Sequence, residues 1–337
     1  REQHMSPTPS LTRYVDLHIL QDFPLACLNR GEADEPKTLM MGNAQRGAVS
    51  SQCLKHADRH DLEALIDEPA ARTRRLPIRL AAALREAGWP EDLARFAAIQ
   101  VPRCATSEGL ATDPEHDDRT LVMLYVPADS IVADLAALCT RHRTALEKGM
   151  AKEAKSTAKA PAAYLPTDDV VRLLCGRTAS ISLFGRFLAG LNDVHVDGAV
   201  QMAWSFTTHA SDLHPDFYTT VEDWGETGEA ASAHMDTAYY SSAGVFYRYA
   251  CVNLTELTRN LGGNTAQATA LLGAFTDVFI STLPQAKKTS TAPHTLPDTV
   301  HYVIRDRRPV SYASAFHQPV RADRHGGYLA PSRHALS

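Results

Sequence analysis

No window of about 18 uninterrupted apolar residues occurs in the chain, which argues against a membrane span. The N-terminal REQHMSPTPSLTR lacks the apolar core of a signal peptide, and its first five residues read as a cloning remnant. The six cysteines, Cys27, Cys53, Cys104, Cys139, Cys175 and Cys251, form no CxxC pair. That disfavours a disulfide scaffold or a structural zinc site and suits a reduced cytosol, so a cytoplasmic location is expected. GxGxxG, HExxH, GxSxG and a spaced carboxylate pair are all missing, and so is the GxxxxGK[ST] loop of nucleotide hydrolases. No catalytic residue, bound metal or cofactor is therefore expected. Internal repeats are also lacking. A net charge of −5 excludes a simple basic protein that coats any nucleic acid.

What the chain does have is length and uneven charge. Its 337 residues allow one large core with insertions, or two domains. Residues 141–159 carry six Lys/Arg against Glu147 and Glu153, whereas residues 211–229 carry six acids and no Lys or Arg. Segments of opposite sign on one chain suit head-to-tail association of copies, with a basic surface kept for a ligand. Two solvated faces are the plain alternative.

The periodicity alternates between strand-like and helical. Tyr14–Leu20 sets Val15, Leu17 and Ile19 against Asp16 and His18, which predicts a half-buried first strand. A helical region spans about 61–186, with three-and-four spacing over Leu76–Trp89 and Ile131–Glu153 and a short strand at Leu121–Val126. Asp197–His209 reads as a further helix, and 210–243 as a long irregular stretch. Alternation returns over Ala243–Leu254, followed by a helix at about 265–283 and a hairpin of 300–304 with 310–312. This order predicts an α+β fold with a small antiparallel sheet bearing two excursions.

Residues 22–55 are the richest in chemistry. A short strand enters a polar loop with Arg30 and Lys37, passes Gly42, Asn43, Arg46 and Gly47, and reaches a helix through Ser50, Ser51 and Gln52, with Lys55 one turn in. Helix-terminal amides, hydroxyls and cations together are a donor set for an extended polyanion, with no acid, base or nucleophile among them. A capped helix after an ordinary loop is the alternative. His56 and His60 would share a helix face and could hold a metal, or could be surface histidines on a polar helix. Lys148, Lys152, Lys155 and Lys159, on one continuous helix, would line a single face as a rail for phosphates or as a solubilising stripe. Phe217 and Tyr218 stand in a polar segment and could stack on unpaired bases, or anchor the loop to the core.

The segments HILQDFPLACLNR (18–30), VSSQCLK (49–55), LFGRFLA (183–189), VDGAVQMAWSFTTH (196–209), DFYTTVEDW (216–224) and SSAGVFYRYACVNL (241–254) resemble, in order, the guide-RNA-binding backbone subunit of the type I-E CRISPR surveillance complex, Cascade. Residues 61–181 match more by position than by residue. The resemblance implies an RRM-like (ferredoxin-like) palm of 13–60, 182–211 and 244–330, a large helical insertion as fingers at 61–181, a thumb hairpin or loop at 212–243, and tails at 1–12 and 331–337. It implies a non-catalytic subunit stacked in several copies along CRISPR RNA, supporting target DNA binding in antiviral defence. The implied partners are CRISPR RNA, target DNA, copies of itself and the large, small, 5′-end and 3′-end guide-capping subunits, with no membrane. By matching position, Arg30, Lys37, Ser50, Gln52 and Lys55 would contact guide phosphates, Phe187 would pack near a kinked nucleotide, and Phe217, Tyr218 and Met235 would form the thumb-side wedge.

The chain departs from the family where a basic run is expected before SSQ: here GNAQRGAV leaves Arg46 as its main charge, and His56 replaces a usual basic residue. It also ends at GGYLAPSRHALS, where relatives usually continue into a further helical segment. Grip without base reading needs amides, hydroxyls and cations, with sequence left to pairing between guide and target. Two rivals are a CRISPR-repeat endoribonuclease or metal-dependent nuclease using His56 and His60, and a protein-only scaffold docking through the acidic segment.

Overall fold

The computed structural model describes residues 13–32, 35–106, 108–155, 163–187, 195–220, 234–241 and 244–337, with backbone only at 215–220 and 234–241. Along the chain, β1 (Tyr14–Phe23) is followed by a hairpin of β2 (Thr38–Met41) and β3 (Ala44–Val49), then helix α1 (Ser51–Ile66). Next come β4 (Ala70–Thr73), α2 (Leu76–Glu86), α3 (Glu91–Arg103), the two-residue strands β5 (Thr112–Asp113) and β6 (Arg119–Thr120), and β7 (Leu124–Pro127). Helices α4 (Ile131–Arg141), α5 (Arg143–Glu153), α6 (Thr167–Leu174) and α7 (Ala179–Phe184) precede β8 (Val200–Met202), β9 (Ser205–Thr207), β10 (Leu213–Thr220), β11 (His234–Ser241) and β12 (Gly244–Asn253). The chain continues through α8 (Leu254–Asn260), α9 (Thr265–Ser281), α10 (Lys288–Thr291), β13 (Thr299–Arg305) and α11 (Leu329–Leu336).

The chain divides into two compact units. The first holds residues up to Leu62, Val200–Thr255 and Ala266–Ser337. Its main sheet runs β13-β1-β12-β9-β3-β2, with β8 also paired to β12, and every pairing is antiparallel. Taking β1, α1, β9, β12, α9 and β13 in turn gives the βαββαβ connectivity of the ferredoxin-like motif, with the four strands in spatial order 4-1-3-2. The predicted antiparallel α+β class is thus the observed one.

Strand alternation builds two cores on this sheet. One face of β12 points Phe246 toward Phe23, Leu54 and Leu283, while the other points Val245, Tyr247, Tyr249 and Cys251 toward Leu20, Phe206 and Phe316. The second face is roofed by the segment after β13. Tyr312 stacks on His18 at 4.1 Å, Tyr328 stacks on His209 at 3.8 Å, and Phe316 is wholly buried against Tyr247. The fully buried Phe316 contributes about 1.5–3 kcal/mol by leaving water, and the half-buried Tyr312 and Tyr328 less. This roof explains why β1 is buried on both faces rather than half-buried as its pattern predicts. Asp16 and His18 lie beneath it, with Asp16 accepting from Tyr249 Oη, Arg305 Nε and the Val310 amide.

The second unit comprises Glu63–Ala199 and Glu256–Thr265. Leu76, Leu80 and Leu84 of α2, Leu93, Ala97 and Val101 of α3, and Ile131, Leu135 and Leu138 of α4 fill its core at the spacing their periodicity predicts. Residues 182–187 and 195–199, read from sequence as palm, group with this helical unit, where Asn260 Nδ2 donates to the carbonyls of Ser182 and Asp197. All six cysteines are free thiols.

Four local expectations are corrected. Asp197–His209 is not a helix: Val200–Met202 and Ser205–Thr207 are strands, because pairing with β12 and β3 outweighs the helical spacing. The stretch 210–243, irregular by its periodicity, contains an antiparallel pair, β10 with β11, in line with the thumb hairpin that the resemblance implies, and this places Phe217 opposite Thr237, Tyr218 opposite Asp236 and Thr219 opposite Met235. Val300–Ile304 pairs with β1, not with 310–312. The helix carrying Lys148 and Lys152 ends at Glu153, so the four lysines do not share one continuous helix; Lys155 follows in a turn, and Lys159 lies outside the described residues.

Candidate nucleic-acid interface

The donor-rich region 29–55 is organised by Asn29 and the β2–β3 hairpin. The Lys37 amide donates to the Asn29 carbonyl at 2.8 Å, and the Lys37 carbonyl accepts from Ala48 at 2.8 Å, which stitches Lys37 to β3. Asn29 Oδ1 accepts from the Ser50 amide at 2.8 Å, and Ser50 Oγ caps α1 by accepting from Cys53 at 3.3 Å. The Ser51 and Gln52 amides precede any intrahelical acceptor, so they open the helix with its partial positive charge. Arg30 and Gln52 are exposed, Ser51 and Lys55 half-buried.

Lys37 Nζ lies 5.3 Å from the centroid of the Trp204 ring, whose residue is 37% exposed. Burial pushes the Cys53 thiol up, and the Lys37 ammonium opposes that shift, which places this cation beside the first turn of α1. A cation beside two helix-start amides, with a partly exposed indole brought against it from another part of the chain, can grip a phosphate and stack a base. Trp204 was missed as a site residue because the sequence reads it as part of a helix body, and 167 residues separate it from Lys37.

Arg46 has another role. It is fully buried, and its guanidinium donates to the carbonyls of Thr207, Thr208, Phe316 and His317 at 2.9, 2.8, 3.0 and 3.4 Å. These bonds tie β9 to the roof segment and leave no outward donor face for a phosphate. The expectation that Arg46 contacts RNA is corrected: it is a structural clamp. His56 and His60 do share an exposed helix face, with ring centroids 4.6 Å apart, and His60 Nε2 meets Arg59 at 2.9 Å. Among the described residues no three His, Cys, Asp or Glu side chains are grouped to hold a metal.

Phe187 belongs to the second unit, at the mouth of a 420 Å³ pocket also lined by Arg72, Met123, Tyr125 and His195. The residue is 79% exposed, and its ring meets His195 edge-on at 5.8 Å. Reciprocal backbone bonds between Arg186 and Val196, at 2.9 and 2.8 Å, bring the two rings together. Beneath them the buried Arg186 guanidinium donates to the carbonyls of Tyr125, Leu174, Cys175 and Gly176, which makes the base of the pocket rigid. Gly185 has φ +82°, and a Cβ there would meet the Val196 carbonyl at 2.8 Å, so the turn into this pocket requires glycine. Lys148, Lys152 and Lys155 are exposed in the same unit. The side chains of Phe217, Tyr218 and Met235 lie outside the described residues.

An antiparallel α+β protein that displays cations and open aromatic rings, with buried arginines bracing its loops, is the class that fold and site define. The chain belongs to the Cas_CT1975 family, CT1975-like protein, a CRISPR-associated family whose model matches residues 15–337. It is similar to a chain of a solved "CRISPR RNA-guided surveillance complex, pre-nicking", at 38% identity and TM-score 0.88, covering 96% of this chain and 86% of that one. It is also similar to a chain of a "CRISPR RNA-guided surveillance complex", at 34% identity and TM-score 0.76, covering 96% of this chain and 85% of the other. No curated protein matches it.

Proposed function

We propose that this chain is a non-catalytic CRISPR RNA-binding subunit of a cytoplasmic type I-E Cascade complex, several copies of which line up along the guide. The observation that carries the reading is Lys37, pinned by backbone bonds beside the start of α1 and across from the open Trp204 ring. Likeness to chains of guide-dependent surveillance complexes supports the choice of RNA as the ligand. In this reading the sheet unit is an RRM-like palm, the helical unit the fingers, and β10–β11 the thumb. Arg30, Lys37, Ser50, Ser51, Gln52 and Lys55 hold guide phosphates, and Phe187 packs beside a displaced nucleotide. Phe217, Tyr218 and Met235 supply the wedge. Lys148, Lys152, Lys155 and Lys159 attract target DNA. The large, small and guide-capping subunits complete the assembly.

The test is the salt dependence of guide binding. The double variant Lys37→Gln, Lys55→Gln is expected to bind CRISPR RNA more weakly and to lower the slope of log K against log salt by about 0.7 per lost contact. Titration by fluorescence anisotropy at several salt concentrations measures it. A slope equal to that of the unaltered protein removes these lysines from the interface.

A further inference from the structure

Residues 69–85 contain five arginines and no acid, on a chain whose net charge is −5. Arg85 pairs with Glu91 at 2.9 Å. Arg72, Arg74, Arg75 and Arg79 are exposed, and none of them forms an ion pair with another described residue. They sit where β4 turns into α2, and that turn is held by its backbone. The Arg75 amide donates to Thr73 Oγ1 at 2.9 Å, the Arg74 carbonyl accepts from Thr120 at 2.9 Å, and the Arg75 carbonyl accepts from Arg79 at 3.0 Å. Four like charges within eight residues, with no acid among them, repel one another, and a polyanion relieves that repulsion. Guanidinium groups favour phosphate through their paired donors.

A second observation narrows the ligand. The Arg72 guanidinium carbon lies 4.8 Å from the centroid of the Tyr125 ring, and Arg72 also lines the 420 Å³ pocket whose mouth carries the exposed Phe187 and Met123. Charge for a backbone and an open ring for a base therefore line one pocket. An acidic protein surface would use the charge but not the ring.

We propose that Arg72, Arg74, Arg75 and Arg79 form a second polynucleotide contact, gripping the phosphodiester backbone of a single strand with one base directed to the Phe187 pocket. The inference rests on the reading above for its class of ligand and for the nucleotide beside Phe187, and what it adds is the four arginines, which have no part in that reading. The strand can be guide RNA or target DNA, which share this chemistry.

The experiment uses the full chain, a labelled oligouridylate and an oligothymidylate of equal length, read by anisotropy across a salt series. Replacing the four arginines with glutamine is expected to weaken binding at low salt at least about tenfold in one arm or both, and to lower the salt slope by about 0.7 per contact. The RNA and DNA arms tell the two sources apart. Arg→Lys at the four positions keeps the charge and is expected to keep most of the slope. If thermal unfolding shows the fourfold variant to be unfolded, Arg74→Gln with Arg75→Gln gives the same reading at about half the size. Unchanged affinity and slope in both arms overturn the proposal, as does loss of self-association alone. Run in parallel, the Lys37 and Lys55 variant separates the two claims: loss there, with none at the arginines, sinks this inference and spares the earlier reading. The reverse pattern does the opposite.

Discussion

Asp58 is buried on α1 with neither carboxylate oxygen hydrogen-bonded among the described residues, close to the equally buried Arg248. Arg248 gives its donors to Gln21 Oε1 at 2.8 Å and the Phe279 carbonyl at 2.5 Å, and its Nε finds no acceptor. Desolvation pushes the Asp58 carboxyl up to about 8, against the attraction of Arg248. A carboxyl with a folded pKa above its ordinary 3.8 stabilises the fold fully below that value and loses its contribution as pH rises toward 8. His18 has the opposite sign: burial lowers it to about 4, so the fold loses stability as pH falls from 6.5 toward 4. The two oppose each other between 4 and 6.5, and Asp58 acts without that opposition above it. The unaltered protein is therefore expected to lose on the order of 1 kcal/mol of stability between about pH 6.5 and 8, and Asp58→Asn to lose much less. Urea midpoints across that range measure the difference, and parallel curves would refute the assignment.

The β2–β3 hairpin shows how much one turn can decide. Gly42 and Asn43 both have φ +58°, the left-handed pair of a type I′ turn, and a Cβ on Gly42 would lie 1.6 Å from the His317 carbonyl. Gly42→Ala is expected to destabilise the protein by about 1–3 kcal/mol, from backbone strain and displacement of the segment that receives Arg46. Asn43→Ala carries the strain without the collision and should cost less. Thermal unfolding of the two variants ranks them. This turn was legible in the residues, but a donor-rich loop was the reading that Lys37 and the serines invited. The alternating strands β1 and β12, the leucine-spaced helices α2 and α4, and the serine cap of α1 were legible because each signal is local. Val200, Ala203, Trp204 and Phe206 fit helical spacing as well as two short strands, and only pairing with β12 and β3 decides between them. Arg46 and Trp204 were misread for a related reason. The carbonyls at 316 and 317 that enclose Arg46, and the lysine beside Trp204, are remote in sequence. The arginine corner at 72–79 was open to reading, through the absence of any acid from 69 to 85.

At the scale of the whole molecule, the two excursions from the sheet differ in how they are tied to it. The helical unit begins at Glu63, within the last turn of α1, and has a leucine-rich core of its own. The β10–β11 pair leaves between β9 and β12, which already pair through Thr207 with Phe246 and Phe206 with Tyr247. Thr208 donates to the Val245 carbonyl at 2.8 Å, and Val245 donates to His209 Nε2 at 3.2 Å, so the two ends of this excursion are held together at the sheet. Replacing residues 214–240 by a short Gly/Ser linker should cost little, because closing a loop between ends already adjacent carries only a small entropic penalty. The shortened protein is expected to unfold at nearly the temperature of the full chain and to bind single copies of guide RNA, yet to fail to form long filaments on it. Electron microscopy of protein mixed with guide RNA reads the filaments, and calorimetry reads the fold. Filaments of unaltered length would show that copies meet through other surfaces, and would remove the role proposed for β10–β11 while leaving the guide contact proposed for the lysines beside α1 untouched.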